Sequence, residues 1–203
     1  MTIKVIPGFA EAHRAEASEL FWQAFEGKLM TPLGPREKAL RFIAPNLSRN
    51  FAFSACAPDG SLLGVAGIKT EKGGFLTGDL KDLNAIYGRI GGLWRGILLE
   101  QFERPVAPGT LLMDGIFVKH SARGQGVGTE LLKAIIWTAE MNGYQDVRLD
   151  VIDTNPRARA LYERRGFAPA GTVSTGFLAP LMGFKTATTM LRPVTPAGDQ
   201  RVS

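Results

Sequence analysis

The sequence predicts a single α/β (α+β) domain, on three observations. Strand-like runs at 62–69, 111–118 and 147–152 alternate with segments whose apolar residues recur at helical spacing, at 12–29 and 127–139. A length of 203 residues suits one domain better than two independent cores. With 45% hydrophobic and 21% charged residues, the chain can bury a sizeable core, which excludes disordered, collagen-like and coiled-coil classes.

In chain order, 3–6 reads as a short strand and 12–29 as an amphipathic helix with Ala17, Leu20, Phe21, Ala24 and Phe25 on its apolar stripe. A second helix is expected over 35–43, stopping before Pro45 because the residue preceding a proline disfavours helical geometry. Residues 51–57 and 62–69 flank Pro58-Asp59-Gly60-Ser61, a turn signature, and read as a hairpin. Between 73 and 108 the apolar residues keep a helical spacing but are interleaved with Gly88, Gly91, Gly92 and Gly96. Each glycine weakens a helix by about 1 kcal/mol relative to alanine, so this segment is expected to be a helical insertion that depends on packing. Leu83, Tyr87, Ile90 and Trp94 should then bury against the domain or a second subunit, and the chain as monomer or homodimer stays open. The strand at 110–118 feeds a glycine-rich loop and a long helix that keeps Leu131, Leu132, Ile135 and Ile136 inward and stops at Asn142-Gly143. After the buried-strand pattern of 147–152, Asn155-Pro156 supplies an N-cap and a proline at the first helical position. That helix ends at Gly166, an extended stretch begins at Phe167, and 186–192 is the last strand. The domain is expected over 1–192, with 193–203 a polar tail.

Twenty-four basic against nineteen acidic residues leave a net charge of +5, which suits an anionic ligand such as a phosphorylated cofactor as well as it suits nucleic acid. No RNA-binding aromatic signature or DNA-reading motif is present, so no nucleic-acid partner is expected. One cysteine, Cys56, excludes an internal disulfide framework and a multi-cysteine zinc site, and points to a reduced, cytoplasmic protein. The N-terminus lacks a signal-peptide pattern, and no apolar run reaches the ~18 to 20 residues of a membrane span, so no membrane partner is expected. His13 and His120 have no metal-ligand spacing around them, and no metal is expected.

The feature that carries chemistry is a strand, a glycine-rich loop and a helix in immediate succession. A helix start leaves backbone N–H groups unpaired at the positive end of the dipole, and glycines there let an anion approach the backbone closely. Gly124, Gly126 and Gly128 are spaced G-x-G-x-G, whereas a dinucleotide fingerprint needs glycine or alanine where Thr129 stands, and no Gly-Lys-Ser/Thr of a phosphate-binding P-loop follows. The pattern that fits is Arg-x-x-Gly-x-Gly, spelled by Arg123, Gly126 and Gly128. It resembles the acetyl-CoA pyrophosphate loop of the GNAT N-acetyltransferase superfamily. Further along, Asn155-x-x-Ala158-x-x-Leu161-Tyr162-Glu163-x-x-Gly166-Phe167 resembles that superfamily's second signature.

The resemblance implies a mixed, mostly antiparallel sheet flanked by helices and splayed open between 111–118 and 147–152, with acetyl-CoA lying in the gap as acyl donor. It implies that the backbone N–H groups of Gln125, Gly126, Val127, Gly128 and Thr129 hold the pyrophosphate, with Arg123 and Gly124 at the loop start. The pantetheine amides would pair with the backbone of Phe117 and Val118, and Asn155 would serve as N-cap, as cofactor ligand, or as both. Arg157, Arg159, Arg164 and Arg165 are in reach of the adenosine phosphate or form a solvated helix face, and none is assigned. Tyr162 matches the family's proton donor to the departing thiolate and also counts as a cofactor contact. Asp114, alone in an apolar strand, stands where family members often carry an acidic base, or is a strand carboxylate satisfied by a partner; Gly115 beside it would permit a bulge. The activity implied is N-acetylation of a primary amine on a small molecule or protein through a ternary complex, since no nucleophile arrangement for an acyl-enzyme is present. A longer acyl-CoA and a non-catalytic CoA-binding module remain as alternatives.

Overall fold

In the computed structural model, residues 2–100, 103–174, 176 and 183–195 are described, and their strands form one eight-stranded sheet. Strands β1 (Lys4–Pro7), β2 (Ala52–Cys56), β3 (Leu62–Thr70) and β5 (Thr110–Val118) are antiparallel neighbours, and the short β4 (Gly73–Gly74) pairs with the end of β3. On the other side β6 (Asp146–Ile152), β8 (Thr186–Pro193) and β7 (Ala168–Ser174) are also antiparallel. The two halves meet where β5 runs parallel to β6. This is the mixed, mostly antiparallel and helix-flanked sheet expected.

Alternation along the strands divides the core. Leu63, Ala66 and Ile68 of β3, with Leu111, Met113, Val147, Leu149 and Val151, pack under Leu131, Leu132, Ile135 and Ile136 of α5 (Val127–Met141). Leu62, Val65 and Phe117 face the other way, against Leu20, Phe21 and Trp22 of α1 (Arg14–Leu33) and Phe42 and Ile43 of α2 (Arg36–Asn46). Each such side chain fully buried is worth about 1.5–3 kcal/mol. The hairpin expected at β2–β3 is present: Asp59 Oδ1 accepts the Ser61 N–H at 2.9 Å, and Gly60 takes φ +85°.

Two boundaries differ from the sequence reading. Helix α2 runs through Pro45 to Asn46, because its last turn is held from outside: Arg14 Nη1 donates to the carbonyls of Ala44 and Leu47 at 2.8 and 2.9 Å, and Asn46 Nδ2 donates to Phe42 O. At the other end, Val194 is buried and its N–H donates to Gln145 O at 2.9 Å, so the packed chain continues past 192. Residues 196–203 of the expected tail lie outside the described residues.

Between β4 and β5 the chain forms α3 (Leu80–Tyr87), opened by a capping box of Asp79 and Asp82, and α4 (Arg89–Glu100). Leu83 is buried, and Tyr87 donates its hydroxyl to Leu33 O on α1. Ile90 and Trp94 instead stand 86% and 43% exposed, contrary to expectation. The glycines explain this. A Cβ on Gly92 would lie 2.2 Å from Asn84 Oδ1 and 2.8 Å from Asn84 N, so the close face of α4 is its glycine face, and the apolar stripe is turned outward. We therefore expect Gly92→Ala to destabilise the protein by about 1–3 kcal/mol through overpacking, and Trp94→Ala by less than about 1 kcal/mol. Urea unfolding of the two variants checks both; a larger loss in Trp94→Ala would reverse the assignment of inner and outer faces.

Candidate active site

Three residue pairs join β5 to β6: Thr110 with Asp146, Leu111 with Val147 and Leu112 with Arg148. Beyond them each strand follows a different neighbour. Met113 to Val118 continue along β3, while Leu149 to Ile152 continue along β8. Within β5 the register slips: Ile68 pairs with Met113 but Gly67 with Gly115, leaving Asp114 as the extra residue of a bulge. A bulge bends its strand and re-aims a side chain. Gly115 is required beside it, because a Cβ there would meet the Phe117 ring at 2.7 Å.

The gap opens into a cleft of about 580 Å³. One wall is the loop into α5. Gly126, the N-cap, takes φ +89°, no side chain caps the helix, and a Cβ on Gly126 would meet nothing within 4 Å. The first-turn N–H groups therefore face open space at the positive end of a fifteen-residue helix. Arg123 donates through Nε to Val118 O at 3.3 Å, closing the loop onto the end of β5. The opposite wall is α6 (Pro156–Arg164), where Asn155 Oδ1 accepts the Ala158 N–H at 3.2 Å as N-cap. Tyr162, 8% exposed, packs 6.0 Å from the Phe167 ring, and burial pushes its phenol up to about 12, which keeps it protonated.

Phe117, Val118, Arg123, Gly124, Gly126, Val127, Gly128, Thr129, Asn155 and Tyr162 all line this cleft, together with Gln23 of α1, which the sequence did not single out, and with Leu20 and Ala24, which it placed on a core-facing stripe and not in a site. Gln125 is not among the lining residues; its side chain folds back to donate to Ser121 O at 2.8 Å. Of the four arginines left unassigned, Arg157 and Arg164 line the cleft, while Arg159 pairs with Glu163 at 2.9 Å on the helix surface.

Asp114 is also outside this cleft, on the sheet face covered by α1. Nearby, the rings of Phe21, Phe25, Phe75 and Phe117 meet edge-on or stacked with centroids 4.9–6.2 Å apart. Burial raises the Asp114 carboxyl above the usual range, outweighing the nearby charges of Arg104 and Lys69. Arg104 spans the gap between the parted strands, with Nη1 2.7 Å from Asp150 and Nη2 3.4 Å from Asp114. Burial pulls Asp150 the same way, but hydrogen bonds from Arg104 and Thr189 and the charges of Arg104 and Arg148 outweigh it and hold Asp150 low. Sequence reasoning missed both partners. The signal for Asp150 was present, since Val147, Leu149 and Val151 alternate with Arg148 and Asp150, placing charge on an inner strand. Arg104, in a connecting loop, carries no such pattern.

Among the described residues no group of three or more His, Cys, Asp or Glu is placed to hold a metal, and no helix is long and apolar enough to cross a membrane.

Comparison with known proteins agrees with this geometry. A GCN5-related N-acetyltransferase from Kribbella flavida shares the fold with a TM-score of 0.61 at 20% identity, over 94% of this chain and 97% of its own. A phosphinothricin acetyltransferase from Sinorhizobium meliloti, solved in complex with AcCoA, gives 0.60 at 18% identity over 98% of this chain and 92% of its own. A curated relative, thialysine N-epsilon-acetyltransferase of Bos taurus, is 38% identical over 56 residues, which is 28% of this chain and only 33% of that protein's length. The model of the acetyltransferase (GNAT) family matches residues 14–167, three quarters of the chain and the whole span from α1 to the end of α6, and the chain belongs to that family.

Proposed function

We propose that this protein transfers the acetyl group of acetyl-CoA to a primary amine of a small molecule or protein, by direct attack within a ternary complex. The observation that carries this reading is the uncapped start of α5, with open space in front of Gly126, at the mouth of the gap between β5 and β6. Such a cradle suits a pyrophosphate, since a Cβ at Gly126 would project into the space the phosphate needs. Arg123, Gly124, Val127, Gly128 and Thr129 would complete it, the backbone of Gln125 would join through its N–H, and Asn155 faces it from α6. The edge of β5 at Phe117 and Val118, which β6 leaves and where, among the described residues, Val118 O accepts only from the Arg123 side chain, suits the amides of an extended pantetheine arm. Acetyl-CoA supplies an activated thioester, and the chain supplies position and protons.

Asp114 takes the proton of the acceptor ammonium, freeing the nitrogen lone pair for the carbonyl carbon. The C–N bond forms, the C–S bond breaks, Tyr162 delivers a proton to the departing thiolate, and the second proton that the nitrogen sheds on becoming an amide restores the Tyr162 phenol. A carboxyl raised by burial is better matched to an ammonium than an ordinary one, and a phenol held protonated is the right state for a donor. We place the reaction in the cytoplasm, on the strength of the single cysteine.

Acetyl-CoA at a hundredfold excess over Kd should stabilise the native protein by about 2.7 kcal/mol, read as a rise in Tm. Gly126→Val should abolish that rise, and a wild-type shift in the variant would overturn the cradle. Tyr162→Phe should keep the shift but lower kcat by roughly 10²-fold; unchanged turnover with chemistry rate-limiting removes Tyr162 from the mechanism. The pH profile of kcat/KM should fall on the acid side as the Asp114 carboxyl protonates, with a midpoint above the usual carboxylate range, and Asp114→Asn should remove that limb. A limb that persists in the variant assigns the proton to another group.

A further inference from the structure

On the sheet face that carries Asp114, the α1 side of the splay, a cluster of charge remains that the reaction above does not use. Lys28, near the end of α1, reaches across the gap to the second half of the sheet. Its Nζ lies 4.7 Å from the centre of the Phe184 ring, just before β8, and 5.8 Å from that of Phe25. It is half-buried and has no ion-pair or hydrogen-bond partner among the described residues. The carboxylate that acts on it, Asp150, is already engaged by Arg104 Nη1 and by Thr189 Oγ1, both at 2.7 Å. Arg148 stands on the same carboxylate at 3.8 Å, and its own Nε is buried without a partner.

The pairing leaves one cation out. Lys28, Arg104 and Arg148 stand against Asp114, Asp150 and Asp146, the last of which is two residues before Arg148 on the same face of β6, and Lys69 is neutralised by Glu103. Of the three cations Lys28 alone has no ion pair among the described residues. Burial and the like charge of Arg104 both weigh against the Lys28 ammonium. A cation removed from water needs a counter-charge, and cation–π contact with two phenyl rings supplies only part of it. Asp114 and Asp150 keep 21% and 14% of their side-chain surface exposed, so the cluster is open to a ligand from solvent.

We infer that the acceptor is an amine that carries its own carboxylate, with its amine directed to Asp114 and its carboxylate neutralising Lys28 between Phe25 and Phe184. This rests on the acetyltransferase reading for its chemistry and deepens it to a substrate class, amino acids and amino-acid-like zwitterions. A carboxylate suits the site better than a second ammonium, because the group left without a partner is a compact ammonium.

The experiment compares matched pairs: phenylalanine, methionine, lysine and β-alanine against their carboxamides. Each is scored by CoA release and, separately, by the Tm shift it adds to protein saturated with CoA, a readout that needs no turnover. In the wild type at least one carboxylate should exceed its carboxamide by tenfold or more in kcat/KM and give the larger Tm shift. Lys28→Met should bring that ratio to within about threefold of unity, and Lys28→Arg, which keeps the charge, should retain most of it. Carboxamides that equal or exceed every carboxylate in both readouts overturn the inference, as does a Lys28→Met variant that melts like the wild type and keeps the preference. A preference seen in Tm with no CoA release from any pair supports the carboxylate site and counts instead against the transferase reading.

Discussion

The parting of β5 from β6 is the constraint from which the rest follows. Backbone N–H and C=O groups inside a protein must find partners, so a sheet that opens in its middle leaves a debt of hydrogen bonds along two strand edges. The chain sustains the opening by giving each strand another neighbour: β5 stays on β3 and β6 stays on β8. Packing on both faces then keeps the halves together. Leu131, Leu132, Ile135 and Ile136 of α5 span both sides from one face, and Arg104 ties Asp114 to Asp150 from the other.

The same geometry separates two chemistries that share one gap. On one side the start of α5 offers N–H groups and a positive dipole end, which suits an anion held by backbone and indifferent to side-chain identity. On the other side the groups are titratable side chains. Asp114 and Asp150 are the same functional group on facing strands, and their environments push them in opposite directions: aromatic burial raises the first, while Arg104, Thr189 and Arg148 hold the second ionised. Two carboxylates set apart in this way suit different jobs, one exchanging a proton and the other anchoring cations. The bulge keeps Asp114 and Gly115 on the same face, since Met113 before them and Ile116 after them both pack on the α5 side.

The helices between β4 and β5 illustrate how a glycine decides orientation. Apolar residues at helical spacing ordinarily mark the buried face. In α4 the closest packing available is backbone against backbone, at Gly92 on Asn84, with Gly96 above Leu80 and Leu83. That contact sets the rotation of the helix, and Ile90, Leu93 and Ile97 point away from the domain as a result.

What the sequence determined by itself was local and periodic: the strands, the amphipathic α5, the turn at Gly60, the N-cap at Asn155 and the glycine pattern that leaves the start of α5 uncapped and open. Each is written in neighbouring residues, because capping, turn geometry and hydrophobic period act over a few positions. The tertiary structure alone decided what lies across the gap. Arg104 from a loop, Asp150 from β6 and Lys28 from α1 meet near Asp114 only because the sheet splays and α1 crosses it. It also decided that α2 continues through Pro45, held by Arg14 from another helix, and which face of α4 is inner. Such choices depend on contacts between segments far apart in the chain, and no local propensity encodes the charge or shape of a distant neighbour.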